Sequence, residues 1–188
     1  MAAVCFTGHR QIEGVYYDPD KMSGHWYATW MTTLKTVYEL YKLGYTEFIS
    51  GGALGFDQLA AHAVKYFKDN TNVPTELWMA LPFQGFESKW PAKSKLQLAG
   101  IVGCADKMLY VNQPPYAPWK LHKRNEWMVD NSLLTVAMYM PGTTGGTLNC
   151  INYAKAQKRP LVYINPLTGQ VKGEVFNAIT NNYQAPWV

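Results

Sequence analysis

The chain has 188 residues, 48% of them hydrophobic and 16% charged, with a formal net charge of +4. This size and balance, without low-complexity tracts, suit one globular domain over 1–188 and exclude a disordered chain, a coiled coil and a collagen-like repeat. The longest stretch without a charged side chain, 131–154, is broken by Pro141 and three glycines, and its solidly apolar part, Leu133–Met140, reads as a buried strand and not as a membrane span.

The opening MAAVCFTGHR has no basic segment ahead of a long apolar run, so no secretory signal is marked and a cytoplasmic protein is expected. Residues 2–6 form an apolar strand entering the turn at Thr7-Gly8. After Gly14, Asp18, Pro19 and Asp20, Ser23 is a candidate N-cap, and Trp26, Trp30, Leu34, Val37 and Tyr41 recur at helical spacing before Gly44. A second strand at 45–50 leads into GGALGFD, and Leu59, Ala60, Ala63, Val64 and Phe67 mark a second helix. Strands at 76–81, 107–111, 133–139 and 160–164 then alternate with helices at about 92–102, 119–130 and 145–157. Strands alternating with helices of this length predict an α/β fold: one Rossmann-like open, mainly parallel sheet with helices on both faces.

In such sheets a ligand sits beyond the carboxyl ends of the strands, where strand order reverses. Three turns fall there. Thr7-Gly8-His9-Arg10 follows the first strand. GGALGFD offers Gly51, Gly52 and Gly55 at the start of a helix, where free N–H groups suit an anion, and Asp57 either caps that helix or holds a ribose. PGTTGGT offers Gly142, Gly145 and Gly146 with the hydroxyls of Thr143, Thr144 and Thr147. Neither matches the G-x-G-x-x-G or P-loop spacing. Arg10 and Arg124, two of three arginines, are suited to a phosphate, and Phe83, Trp90 and Tyr116 are candidates for stacking on a base.

Between Ser88 and Arg124 seven basic residues and one acid give +6, leaving −2 elsewhere, either a solvated helix face or a field for a phosphate-bearing ligand. Cys5, Cys104 and Cys150 lack C-x-x-C spacing, and His9, His25, His62 and His122 lack H-x-x-x-H, so neither a disulfide framework nor a metal site is expected. No cofactor is called for. His62 reads as a packed histidine and His9 as the better ligand contact.

The segments FTGHR, SGGALGFDQLAAH and KRNEWMVDNS…YMPGTTGGTLNCINYA resemble the YpsA-like and prophage YoqJ-like proteins of the SLOG superfamily, over nearly the whole span from Phe6 to about Ile164. That superfamily has a Rossmann-like fold and includes the LOG phosphoribohydrolases and the DNA-processing protein DprA. The resemblance implies a nucleotide or nucleotide-derived ligand, such as an ADP-ribose-like or cyclic one. It also implies a homo-oligomer, dimer or larger, and a phage origin in which the protein sequesters a nucleotide signal of host immunity within the host cytoplasm.

The departures from these relatives bear on activity. LOG enzymes pair an arginine element, which Arg124 and Met128 fit, with a PGGxGTxxE motif whose acidic position is taken here by Asn149 and Cys150. N-glycosidic cleavage needs a carboxylate, which leaves Glu126 and Asp130 as candidates and makes a nucleotide hydrolase the alternative to a binding protein. The DprA element is matched by Ser50, Gly51, Ala53, Gly55, Asp57, Ala61 and His62, but Leu54 stands where DprA has an arginine, so nucleic acid is not the expected partner and single-stranded DNA binding ranks as the third reading. No membrane association is expected.

Overall fold

A computed structural model describes residues 2–178 and 182–185. Its centre is an eight-stranded sheet. In chain order the elements are β1 (Ala3–Gly8), β2 (Gln11–Ile12), β3 (Val15–Tyr16), α1 (Gly24–Lys42), β4 (Glu47–Ser50), α2 (Phe56–Thr71), β5 (Glu76–Leu81), α3 (Ala92–Gly103), β6 (Lys107–Tyr110), α4 (Pro118–Asp130), β7 (Leu134–Met138), α5 (Gly146–Ala156), β8 (Leu161–Ile164), β9 (Val171–Asn177) and β10 (Asn182–Gln184). The sheet order is β10-β9-β8-β7-β1-β4-β5-β6, parallel from β8 through β6 and antiparallel at β8/β9 and β9/β10.

The predicted α/β architecture, mainly parallel with both faces covered, is the one observed. Along β1 the side chains alternate between two cores. Val4 and Phe6 pack with Val37, Leu59, Val64 and Ile101 beneath α1, α2 and α3, while Ala3 and Cys5 pack with Met128, Val129, Cys150 and Ile151 beneath α4 and α5. This double burial explains why the central strands read as unbroken apolar runs.

Two hairpins depart from the sequence reading. β2 and β3 pair antiparallel around Glu13 and Gly14, both at positive φ (48° and 78°), where the sequence suggested only an irregular stretch. Such a two-residue turn is most legible as Asn-Gly or Asp-Gly, and Glu-Gly gives a weaker signal. β9 and β10 extend the sheet past the strand expected to close it, and β9 is only partly buried, so it lacks an apolar run. β1 also runs two residues further than expected, because Thr7 and Gly8 pair with Ala137 and Met138. Ser23 has the extended backbone of an N-cap, yet its side chain makes no capping hydrogen bond.

On α1, Trp26 is buried against Tyr17, and Trp30 packs edge-on to Tyr66. Tyr27, Met31 and Tyr38 stay exposed; Met31 and Tyr38, with Tyr66, line a shallow apolar groove of about 320 Å³ between α1 and α2. No helix among the described residues is long and apolar enough to cross a membrane.

Candidate functional site

Strand order reverses at β1, whose neighbours are β4 on one side and β7 on the other. A cleft of about 870 Å³ opens there at the carboxyl ends of the strands, within the usual range for small-molecule sites. Of the residues singled out from the sequence, Gly8, His9, Arg10, Asp57, Phe83, Arg124, Thr144, Gly145, Gly146 and Thr147 line it. Gly51, Gly52, Gly55, Gly142 and Thr143 do not.

The two glycine turns do different work. A Cβ on Gly51 would lie 1.5 Å from Nη1 of Arg124, one on Gly52 2.9 Å from Leu81, and one on Gly55 2.5 Å from the backbone of His9 and Arg10. These glycines therefore allow close packing of the loop. The start of α2 is also occupied from within: Phe56 N–H donates to the His9 carbonyl at 3.1 Å, and the Asp57 carboxylate accepts from Ala53 N–H at 3.4 Å.

At the second turn, Cβ atoms on Gly142, Gly145 and Gly146 would meet nothing within 4 Å. Gly145, at φ 108°, is the N-cap of α5; no side chain caps the helix and no acidic residue stands in its first turn. The N–H groups of that first turn have no intrahelical partner, and the positive end of the helix dipole adds to them, an arrangement suited to an anion.

His9 ties the β1 and β7 turns together. Met140 N–H donates to His9 Nε2 at 3.1 Å, the Thr143 hydroxyl lies 3.0 Å from the same nitrogen, and the ring stacks on Tyr139 with centroids 5.6 Å apart. A nitrogen that accepts from a backbone amide carries no proton, and burial accordingly lowers the His9 pKa.

Beneath the cleft Arg124 and Asp57, 6% and 4% exposed, form an ion pair through a single Nη1–Oδ2 contact of 3.4 Å. Arg124 Nε is buried without a partner. Burial pushes the Asp57 carboxyl above the ordinary carboxylate range, opposed by the Arg124 charge and by the Ala53 amide. Asp57 is the only carboxylate among the described residues lining the cleft. Glu126 lies outside it, 3.0 Å from Lys123 Nζ, and Asp130, also outside, accepts from the Tyr153 hydroxyl at 3.0 Å.

The basic stretch is largely neutralised in space. Lys93 pairs with Asp18 and Asp20, Lys107 with Glu76, Lys123 with Glu126 and Arg124 with Asp57. Among the described residues Lys89, Lys95 and Lys120 make no ion pair, Lys120 being held by two carbonyls; Lys89 lines the cleft, as does Arg10, which likewise forms no ion pair although its charge acts on Asp57.

The far wall is aromatic. Phe83 and Phe86 follow β5, Trp90 precedes α3, and Tyr116 lies on the loop after β6. Phe86 was not apparent from the sequence; nor were His122 and Asn125, which line the cleft from α4, whereas Asn149 of α5, singled out at the acidic position of the LOG motif, lines it too. Polar residues at helical spacing carry no signal that separates a cleft from solvent. No group of three or more potential metal ligands occurs among the described residues.

Comparisons with known proteins give the family and the fold. The model of the YspA SLOG family (YpsA) matches residues 4–166. The uncharacterized SPbeta prophage-derived protein YoqJ of Bacillus subtilis (strain 168) is 35% identical over 119 residues, covering 57% of this chain and 68% of that protein. The UPF0398 protein ABC2016 of Shouchella clausii (strain KSM-K16) is 29% identical over 109 residues, covering 57% and 58%. Two solved structures share the fold. DNA processing protein A from Helicobacter pylori, described for its single-stranded DNA binding mode, aligns at TM-score 0.58 and 19% identity over 87% of this chain and 65% of that one. DprA from Streptococcus pneumoniae aligns at TM-score 0.61 and 16% identity, over 87% and 50%. The chain thus spans half to two thirds of the length of the DprA proteins. On the match over residues 4–166 and the likeness to YoqJ, the chain belongs to the YspA SLOG family.

Proposed function

We propose that the cleft binds a nucleotide or an ADP-ribose-like ligand, linear or cyclic, and holds it without turning it over. The observation that carries this reading is the uncapped start of α5, where Gly145, Gly146 and Thr147 face the cleft with Arg10 and Lys89 as unpaired cations along the same walls. Phosphate oxygens would accept from the first-turn N–H groups and from the hydroxyls of Thr144 and Thr147.

The binding reading is favoured over hydrolysis by the carboxylates. Asp57 is buried against Arg124, and Glu126 and Asp130 lie outside the cleft, so among the described residues no free carboxylate lines it to act on a ribose. The likeness to a prophage protein supports a role in which a phage-encoded copy withholds a nucleotide signal from its host. The exposed tyrosines between α1 and α2 support a homo-oligomer built on that face.

Native mass spectrometry of freshly purified protein, followed by denaturation and mass analysis of released small molecules, tests the reading. An intact nucleotide or ADP-ribose derivative stoichiometric with chains is the expected result, and the same spectrum gives the assembly. An empty protein that splits nucleoside monophosphates into base and ribose phosphate would refute it. Binding of single-stranded oligonucleotide that falls steeply with salt, without competition from mononucleotides, favours the DNA-related reading suggested by the DprA fold.

A further inference from the structure

The phosphate reading uses one half of the cleft and leaves its aromatic wall without a role. That wall is built at some cost. Tyr116 is 63% exposed, yet the loop that carries it is fastened by a buried cation: Lys120, 8% exposed, donates from Nζ to the carbonyls of Gln113 and Pro115 at 2.7 and 2.6 Å. Burying an ammonium against neutral carbonyls is expensive, and an exposed ring returns little folding energy for it. Asn112 Nδ2 ties this loop to the one after β5, donating to the Pro82 carbonyl at 3.0 Å and to the Lys120 carbonyl at 3.2 Å.

The rings also fix one another. Phe83 meets Tyr116 at 5.8 Å and 73°, Phe83 meets Phe86 at 6.4 Å and 79°, and Phe86 meets Trp90 at 5.2 Å and 80°. This chain of edge-to-face contacts sets each plane before any ligand arrives, and preorganisation of this kind is what a stacking site needs.

Resting on the reading of the cleft as a nucleotide site, we propose that Tyr116, with Trp90 and Phe86, forms a subsite for the nucleobase of a ligand whose phosphates lie at the start of α5. The start of α5 follows β7 and the wall follows β5 and β6, so a ligand that engages both lies across the ends of β1 and β4, with its base and its phosphates held by different elements.

Isothermal titration of the full chain with ADP-ribose, AMP, ribose 5-phosphate and pyrophosphate tests this. ADP-ribose is expected to bind about ten- to a hundredfold tighter than pyrophosphate, and AMP by a like factor tighter than ribose 5-phosphate, the range that one stacked base contributes. Tyr116→Ala should remove most of that advantage while leaving pyrophosphate affinity and melting temperature unchanged, and Tyr116→Phe should restore it. Equal affinity for pyrophosphate and ADP-ribose, or an unchanged ADP-ribose affinity in Tyr116→Ala, overturns the base subsite and leaves the phosphate reading standing. Absence of binding by all four probes overturns both. A thymidine oligonucleotide that binds through Tyr116 and is not displaced by ADP-ribose overturns the small-ligand subsite in favour of a strand-stacking surface.

Discussion

Replacing Gly51 by alanine separates the two kinds of glycine in this fold. The new Cβ would stand 1.5 Å from Arg124 Nη1, 2.3 Å from its Cζ and 2.8 Å from Asp57 Oδ2, so the guanidinium must leave its place. Its side chain is flexible and has the cleft to swing into, but it then abandons a carboxylate that is 4% exposed. Breaking a buried pair costs about 3–5 kcal/mol, and because Asp57 can take up a proton the lower end applies, about 3 kcal/mol. For a chain of this size that lowers the melting temperature by about 6–12 °C. The contrast is Gly146→Ala, whose Cβ meets nothing within 4 Å and whose φ is ordinary for a helix. Its stability should hold or rise by a few tenths of a kcal/mol (~1 °C), while its methyl group crowds the start of α5 and weakens anion binding about tenfold. Thermal and urea melts of both variants provide the assay, with Arg124→Ala made in the parent and in Gly51→Ala to check that the two losses are not additive. A Gly51→Ala protein that melts within about 2 °C of the parent refutes the reasoning that Gly51 makes room for the buried pair.

Burial lowers the pKa of both His9 and His62 from 6.5, so the unfolded chain binds protons that the folded one refuses. Their contribution to stability is present above pH 6.5 and is lost as pH falls, and His62→Gln should flatten the melting curve against pH between 8 and 5. Asp57 acts with the opposite sign: its raised pKa lets the folded chain keep a proton that the unfolded chain releases near 3.8, so its contribution declines as pH rises from there, a slope that Asp57→Asn abolishes. Glu126→Gln and Asp130→Asn should leave ligand affinity and any nucleotide turnover unchanged, since both lie outside the cleft; a loss of turnover in either would restore the hydrolase reading. In the native protein a thiol reagent should titrate Cys104 alone, because Cys5 and Cys150 are buried with pKa values pushed up by that burial; fast reaction of either would contradict the packing around β1 and α5.

Much of the architecture was legible because its signals are local. The alternation of apolar strands with helices located the sheet, and the turns after β1 and β7 were identified by Gly8 and by the cluster at Gly142, Gly145 and Gly146. What stayed hidden depended on distant partners. GGALGFD reads the same whether its glycines admit a phosphate or a neighbouring side chain, and the neighbour of Gly51, the Arg124 guanidinium, arrives from α4. In the basic run between Ser88 and Arg124, Lys93, Lys107 and Arg124 are likewise paired by Asp18, Asp20, Glu76 and Asp57, all earlier in the chain. Glu126 and Asp130 share α4 with Arg124 and so looked like candidates, yet the helix places Arg124 on the cleft side and leaves them off it.

The distribution of charge that results bears on which anion the cleft suits. Replacing a buried ion pair with apolar residues is often neutral or stabilising, so stability alone gives no reason for Arg124 and Asp57 to sit beneath the cleft. Their effect is electrostatic: the one carboxylate lining the cleft among the described residues is neutralised by Arg124, and the field there is left to Arg10, Lys89, the start of α5 and Lys120, whose Nζ is held by two carbonyls behind Phe83. The two cations that line the cleft without an ion pair, with a helix dipole, match a compact group with about two negative charges. For a single strand, two phosphate contacts give a logarithmic salt slope of only about −1.4, too shallow for a protein that grips nucleic acid by its backbone. The same two contacts, confined in a cleft of about 870 Å³ beside a preorganised aromatic wall, are sufficient for one pyrophosphate. On this count the charge distribution favours a small diphosphate ligand over a DNA track, even on a fold shared with DprA.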